Sequence, residues 1–399
     1  MHNILGDVIF EDDIRFQYGP IKTAHTAHGA EVIAKIEMDQ PKMGLDLNVK
    51  EVSEEDRQKL AEIAPAVARK PYQVGAYQLV RIPNATVYNF PRIEGMVCDS
   101  QRNFIRETRG SPRILEGNKF IRYAGNRAWY FEHDFPYDGE IKSAFLPFDP
   151  GTHNYAHFLG LYVQRVIVGN SRLKNCPVLF PDLPGYRAFS PGAMRNEFFY
   201  RLPEIFPLAE GNFYFPLPAG KFKVNELYLL QHLGDRWDLV FYNEVLAELN
   251  AIGAEALRRH SSSLVAPLPR RFSISRKNAQ YRRILNEEKV NSVLQKFDYS
   301  IMQMEKIDFW GQVAHFAAAE KIIGLHGAGC ANIVFTQNKP VFIEIFPKPL
   351  PSLQFLHSAI AKDCNYVPFA QERQSRLNDV IIDCEKLEHL LALQDRNSH

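Results

Sequence analysis

Apolar runs alternate with helix-like patterns along the last third of the chain, in the order typical of repeated strand–helix units. The pattern predicts buried strands at Phe272–Ser275, Tyr299–Met304, Lys321–Leu325, Val341–Phe346 and Tyr366–Phe369. It predicts helices at Glu287–Lys296, Phe309–Glu320 and Ser352–Lys362, the first two capped by Asn286 and Asp308. Because helical crossovers join parallel strands, this order predicts a parallel sheet with helices on both faces.

The preceding part of the chain is less regular. It predicts strands at Ala85–Asn89, Ala128–Phe131, Val178–Phe180 and Glu226–Leu230, and helices at His153–Val168 and Asn243–Arg259. A linker rich in Ser and Pro is expected over Ser261–Pro269, and one helix, starting at Ser53, is expected near the beginning. We therefore predict an N-terminal extension (residues 1–85), an N-terminal lobe (residues 86–260) and a C-terminal lobe (residues 261–399).

Composition narrows the class of protein. The 399 residues carry a formal net charge of +1, so no global field recruits nucleic acid or an acidic membrane, and only local basic patches are left open. Five cysteines, with no C-x-x-C pair, fit a reducing compartment. With neither a signal-peptide pattern nor a long apolar stretch, we expect a cytoplasmic protein, and peripheral attachment to a membrane is left open.

A glycine-rich corner follows the predicted strand Lys321–Leu325. Gly327 and Gly329 let the backbone approach an anion closely, and the short helix after them points its free N–H groups at that anion. Arg276, at the end of another strand, can converge on the same pyrophosphate. Glu344, one strand later, sits where nucleotide-binding folds often place a ribose-binding acid. The alternative is that the corner is only a tight strand-to-helix connection.

Other patterns are incomplete. The dinucleotide fingerprint G-x-G-x-x-G would need a glycine at Asn332, which leaves an NAD-dependent oxidoreductase as the second reading. His153 and His157 have metal-ligand spacing on one helix face, but no third ligand is evident, so no metal site is predicted. The chain also lacks a D-x-D triplet, a G-x-S-x-G elbow and a P-loop.

Three segments, in this order and spacing, together resemble the family 61 glycosyltransferases. They are Asn154–Leu159 with Arg165, Ile274–Arg276 with Arg283–Glu288, and Gly324–Asn332 with Val341–Glu344. The resemblance extends over residues 85–369 and is strongest over residues 273–347. Leu161 and Gln164 depart from it, since family members often have an acid and a proline at these positions.

The resemblance implies an α/β protein of the GT-B type, in which two Rossmann-like lobes face each other across a cleft. It implies an inverting, metal-independent reaction, with donor contacts from Ser275, Arg276, His326, Gly327, Ala328, Gly329, Asn332 and Glu344. Asn154 and Arg165 are expected on the acceptor side, and His157 is the expected catalytic base. The alternative for His157 is a structural histidine that packs the cleft wall.

We therefore predict a bacterial type of hexosyl- or pentosyltransferase, with a UDP-sugar as donor and no further cofactor. Its acceptor is expected to be a hydroxyl of a capsular or other surface polysaccharide or glycan. The expected place of action is the cytoplasm, at the inner face of the membrane. A non-catalytic glycan-binding scaffold is a third reading, beside transfer and oxidoreduction.

Overall fold

The computed structural model describes residues 16–20, 23–37, 76–91, 93–108, 121–124, 127–130, 136–152, 154–183, 201–232, 241–262, 267–348 and 354–396. The described residues up to 232 form one compact unit, and those from 241 onward form a second. This division differs from the predicted boundary at residue 260, because the helix Asn243–Ser261 packs within the second unit. The helix predicted from Ser53 lies outside the described residues.

The first unit is built on two sheets. Its strands are, in chain order, β1 (Phe16–Pro20), β2 (Glu31–Ile36), β3 (Tyr77–Asn89), β4 (Met96–Cys98), β5 (Ile121–Ala124), β6 (Arg127–Tyr130), β7 (Gly139–Phe145), β8 (Pro177–Asp182), β9 (Phe213–Pro218) and β10 (Gly220–His232). Strands β1, β6 and β5 form a small antiparallel sheet, and the other strands form a seven-stranded sheet in the order β2-β3-β10-β7-β8-β9, with β4 paired to β3.

The larger sheet is mixed, unlike the parallel sheet of a Rossmann-like lobe. Strands β10, β7, β8 and β9 are parallel neighbours, whereas β3 runs antiparallel to β10 along its whole length. The predicted strands Ala85–Asn89 and Glu226–Leu230 are parts of these two long strands. Each extends to 13 residues, because the two strands pair with each other from end to end, except at Asn84 and Asn225.

One continuous helical run, α1, follows β7. It consists of an α-helical turn (Tyr155–His157), a π-helical segment (Phe158–Val163) and a further α-helical segment (Gln164–Asn170). A short helix, α2 (Leu202–Ile205), and the 3-10 turns Ala24–Thr26 and Arg106–Thr108 complete the helical elements described in this unit. The helix predicted at His153–Val168 is thus present, with a change of hydrogen-bonding pattern directly after His157.

The second unit confirms the predicted parallel sheet. Its strands are β11 (Arg271–Ile274), β12 (Ser300–Met302), β13 (Lys321–Leu325), β14 (Val341–Pro347) and β15 (Asn365–Gln371). Its helices are α3 (Asn243–Ser261), α4 (Glu287–Lys296), α5 (Phe309–Ala318), α6 (Gln354–Ala361) and α7 (Cys384–Arg396), with 3-10 helices at Met304–Lys306 and Ala328–Phe335. All five strands are parallel, in the order β12-β11-β13-β14-β15.

Helices cover both faces of this sheet. On one face, α4 and α7 pack on alternate strand residues such as Ile323, Ile343 and Val367. On the other face, Phe316 of α5 stacks edge-on against Phe272 of β11, with ring centroids 5.2 Å apart. No helix in the described part of the chain is long and apolar enough to span a bilayer.

The two predicted helix caps behave differently. The Asp308 side chain accepts a hydrogen bond from Gly311 N at 2.8 Å, as an N-cap does. Asn286 stands at the start of α4 but makes no capping bond there. Its amide instead exchanges two hydrogen bonds with the backbone of Ile382, at 2.8 and 2.9 Å, and so ties α4 to the segment before α7.

Candidate functional site

The order of strands in the second unit reverses between β11 and β13. In open α/β sheets, a crevice forms beyond the carboxyl ends of the strands at such a reversal, and ligands bind there. Ser275 and Arg276 directly follow β11, and the segment His326–Gly329 directly follows β13. The topology therefore brings these two predicted site segments to the same edge of the sheet.

Arg276 lies against the glycine turn. Its Nε donates to Arg282 O at 2.7 Å and its Nη2 to Tyr281 O at 2.9 Å, which fixes the guanidinium plane. A Cβ built on Gly327 would overlap Nη1 of Arg276, so the third nitrogen faces the turn. Burial lowers the pKa of Arg276. No described residue accepts a hydrogen bond from its Nη1. This nitrogen can therefore donate to an anion held at the turn.

The turn itself supplies backbone donors. Gly327 is extended (φ 178°), a conformation open to any residue, so the close approach of Arg276 explains the glycine there. The helix that begins at Ala328 is a 3-10 helix, and its first recorded bond runs from Cys330 N to Gly327 O at 2.9 Å. The N–H groups of Ala328 and Gly329 consequently have no partner within the helix. Nη1 and these two groups form a positively polarised edge.

Ser275 and the neighbouring backbone bind a carboxylate that we did not include among the predicted site residues. The Ser275 hydroxyl donates to Glu287 Oε1 at 2.6 Å, and Arg276 N donates to the same oxygen at 3.2 Å. Ser275 therefore shapes the Arg276 loop, and its hydroxyl is already engaged. Glu287 opens α4 within the Arg283–Glu288 segment, but the sequence gives no sign that it turns back to this loop.

His326 and Glu344 form a buried pair. The imidazole Nδ1 lies 2.5 Å from Glu344 Oε1, and Tyr366 donates its hydroxyl to Glu344 Oε2 at 2.7 Å. Glu344 is fully buried and both its oxygens are bonded, which differs from the exposed carboxylate expected of a ribose-binding acid. A carboxylate only accepts hydrogen bonds, so Nδ1 is the donor of this bond when Glu344 is ionised. No described residue bonds to Nε2 of His326. Glu344 thus orients His326.

Asn332 lies in the interior. Its side-chain amide donates to Gln312 Oε1 at 2.9 Å, which joins the 3-10 helix to α5. A direct contact between Asn332 and a ligand would first require this residue to be uncovered. The predicted donor contact at Asn332 therefore gains no geometric support.

The predicted acceptor-side residues belong to α1 of the first unit: Asn154 and His157 lie at its start, and Arg165 lies in its last segment. Arg165 donates to Pro147 O at 2.9 Å and forms a 3.0 Å ion pair with Asp149, whose side chain is 6% exposed. Burial lowers the pKa of His157 below its ordinary value of 6.5, the Asp149 charge opposes this shift, and the Arg165 charge adds to it. The imidazole is therefore neutral at neutral pH, as a general base must be.

The charge of Asp149 acts on His157, whereas the position four residues after His157 is Leu161. Asp149 lies in the loop before α1, so helix periodicity could not identify it. Asn154 caps α1 by accepting from Ala156 N at 3.0 Å, and the π-helical segment starts directly after His157. Such segments are rare and often occur at functional sites. The roles of Asn154 and Arg165 toward an acceptor stay predictions.

His153 lies outside the described residues, so its pairing with His157 has no geometric test. Among the residues that the structure describes, no group of three His, Cys, Asp or Glu side chains could hold a metal ion.

Comparison with known protein families identifies a match over the middle and C-terminal parts of the chain. Residues 144–343 match the family Glycosyltransferase 61, and this stretch is half of the 399-residue chain. It includes His157, the Arg276 loop and the glycine turn, and ends one residue before Glu344. No curated protein matches the chain. The chain belongs to the glycosyltransferase 61 family.

Proposed function

We propose that this glycosyltransferase is an inverting, metal-independent enzyme that moves a sugar from a UDP-sugar to a hydroxyl of a surface polysaccharide or glycan. The observation that carries the proposal is the convergence of Arg276 Nη1 with the N–H groups of Ala328 and Gly329 at the β11/β13 crevice. We further propose that the two units are the lobes of a GT-B enzyme that works on the cytoplasmic side of a membrane.

The chemistry at the donor side is stabilisation of a leaving group. When the bond between the anomeric carbon and the diphosphate oxygen breaks, negative charge develops on the diphosphate. Fixed donors already aimed at that charge stabilise the transition state more than the ground state. Arg276 supplies a cation whose plane is set by two backbone carbonyls, and the turn supplies two amide dipoles. His326, oriented by Glu344, can donate to a sugar or phosphate oxygen if Nε2 carries a proton.

At the acceptor side, we propose that His157 removes the proton of the attacking hydroxyl. The hydroxyl oxygen attacks the anomeric carbon from the face opposite the diphosphate, which inverts the configuration. The proton moves to the imidazole, and the carboxylate of Asp149 favours the imidazolium that forms, because this charge raises the pKa of His157.

The test is release of UDP from a panel of UDP-sugars, measured with acceptor glycans and with or without a chelator. We expect turnover by the wild type under both conditions, and loss of about two orders of magnitude in Arg276→Ala. Arg270→Ala is the matched control, because Arg270 precedes the same strand and forms an ion pair with Glu320 in which both side chains are more than half exposed. Full activity of a folded Arg276→Ala enzyme would reject this role.

The two other readings make different predictions. A dinucleotide-dependent oxidoreductase would be stabilised by NAD and not by UDP in a thermal-shift comparison. A glycan-binding scaffold would bind sugar and consume no UDP-sugar with any acceptor. Membership of a glycosyltransferase family favours transfer over both.

A further inference from the structure

Two extended segments run side by side next to the Arg276 loop. Arg282 N donates to Leu377 O, Val380 N to Arg283 O and Leu285 N to Val380 O, each at 2.9 Å. Ile284 and Val380 form a parallel β-bridge between the segments. Residues 281–285 and 377–381 thus form a short two-stranded ribbon.

The two faces of this ribbon have different surroundings. Ile284 and Val380 point into the core of the second unit. Four other side chains of the two segments are apolar and exposed, with exposed fractions between 42% and 50%: Tyr281, Leu285, Leu377 and Ile381. Scattered single exposures are normal, but four on adjacent hydrogen-bonded segments form a patch. We call these four residues the ribbon patch.

Basic residues surround the ribbon patch. Lys277, Arg282, Arg373 and Arg376 have no carboxylate partner among the described residues. The three acids of residues 372–383 are each paired with a cation: Asp379 with Arg283 at 3.0 Å, Glu372 with Lys348 at 2.9 Å, and Asp383 with Lys386 at 3.7 Å. On the side of the Arg276 loop, Glu287 accepts from Ser275 and Glu305 accepts from Asn278. The rim of the ribbon patch is therefore positively charged.

The ribbon is also firmly held. The buried Asp379 carboxylate accepts from the backbone and side chain of Arg283 and from Ser375, and Asn286 bonds both backbone groups of Ile382. The apolar side chains consequently stand on a fixed backbone, which Arg276 also contacts through Tyr281 O.

We propose that the ribbon patch docks the protein on an anionic membrane surface. An aromatic and three aliphatic side chains can enter the boundary between headgroups and acyl chains, while the surrounding arginines and lysine are attracted to anionic lipids. A second copy of the chain fits less well, because a symmetric contact would bring two positive rims together. The proposal is independent of the transfer reaction, so either can fail alone.

The test is sedimentation of the full chain with vesicles. Vesicles of phosphatidylcholine alone are compared with vesicles that also contain phosphatidylglycerol, at low and high salt. We expect binding to the anionic vesicles only, weakened by salt. Leu285→Gln with Ile381→Gln, and separately Arg373→Gln with Arg376→Gln, should each lower the apparent affinity by about tenfold or more.

The matched control is Val32→Gln with Ile33→Gln, which removes two apolar side chains of similar exposure from β2 of the first unit. This pair should bind vesicles like the wild type. A thermal melt of each ribbon variant without ligand, compared with that of the wild type, reports whether the variant is folded. The proposal is overturned if anionic vesicles do not bind the wild type, or if folded ribbon variants bind undiminished. A dimer in analytical ultracentrifugation that Leu285→Gln with Ile381→Gln dissociates would assign the ribbon patch to a second copy instead.

Discussion

Gly327→Ala probes the Arg276 site with the smallest possible change. A methyl group at this position would overlap Nη1 of Arg276, so the guanidinium must move away from the turn. The backbone at Gly327 is extended, and alanine adopts it without strain. Nη1 is the far end of a long side chain that can shift, at the cost of its bonds to Arg282 O and Tyr281 O. The variant should therefore fold, with a melting temperature only modestly below that of the wild type.

We expect Gly327→Ala to weaken the binding of UDP. A hydrogen bond from a charged donor contributes about 1.5–3 kcal/mol, which corresponds to a loss in UDP affinity of about tenfold to a hundredfold. Isothermal titration calorimetry with UDP measures this directly, and a thermal melt of the same sample reports folding.

Two neighbouring glycines serve as controls. A Cβ on Gly329 would lie 3.4 Å from Ile274 Cγ2, an ordinary contact, so Gly329→Ala should bind UDP nearly as the wild type does. A Cβ on Gly324 would lie 2.6 Å from the buried Cys330 Sγ, so Gly324→Ala should lose stability by about 1–3 kcal/mol through overpacking. Equal UDP binding by Gly327→Ala and the wild type would refute the reasoning, as would equal losses in Gly327→Ala and Gly329→Ala.

Three further predictions concern single side chains. The acid limb of kcat/KM should have its midpoint below pH 6.5, because His157 must be neutral and burial lowers its pKa; Asp149→Asn should move the midpoint lower still, and an unmoved midpoint would count against His157. Glu344→Gln should lower kcat by about tenfold or more, since the variant loses the charge that orients His326, and Tyr366→Phe should cost less; the opposite ranking would contradict the buried pair. Asp379→Asn should lower the free energy of unfolding by about 1–2 kcal/mol at neutral pH. The Arg283 bonds hold the Asp379 pKa at about 2, below its unfolded value of 3.8, so this contribution is present above pH 3.8 and should fade toward pH 2 in acid-denaturation curves.

Local signals explain what could be predicted from the sequence. Strand β13 begins and ends where its apolar run does, and the Asp308 cap forms as predicted, because both depend on neighbouring residues. The parallel sheet follows from the alternation of these elements. The approach of Arg276 to Gly327 follows in turn, since topology alone brings the two strand ends together.

Features that depend on pairing between residues far apart in the sequence could not be predicted from it. The antiparallel register that joins Asn89 of β3 to Gly220 of β10 leaves no trace in either strand's own pattern, so the mixed sheet of the first unit was missed. The contributions of Asp149 and Tyr366 to the site could not be predicted for the same reason. Each meets its partner through folding across loops or strands, and neither stands at a recognisable spacing from His157 or Glu344.

The most direct test of the central claim is a crystal structure of the protein with bound UDP. We predict that the diphosphate lies in the β11/β13 crevice, with phosphate oxygens within hydrogen-bond distance of Arg276 Nη1 and of the N–H groups of Ala328 and Gly329. A diphosphate bound elsewhere on the chain, with Arg276 still facing an empty turn, would contradict it.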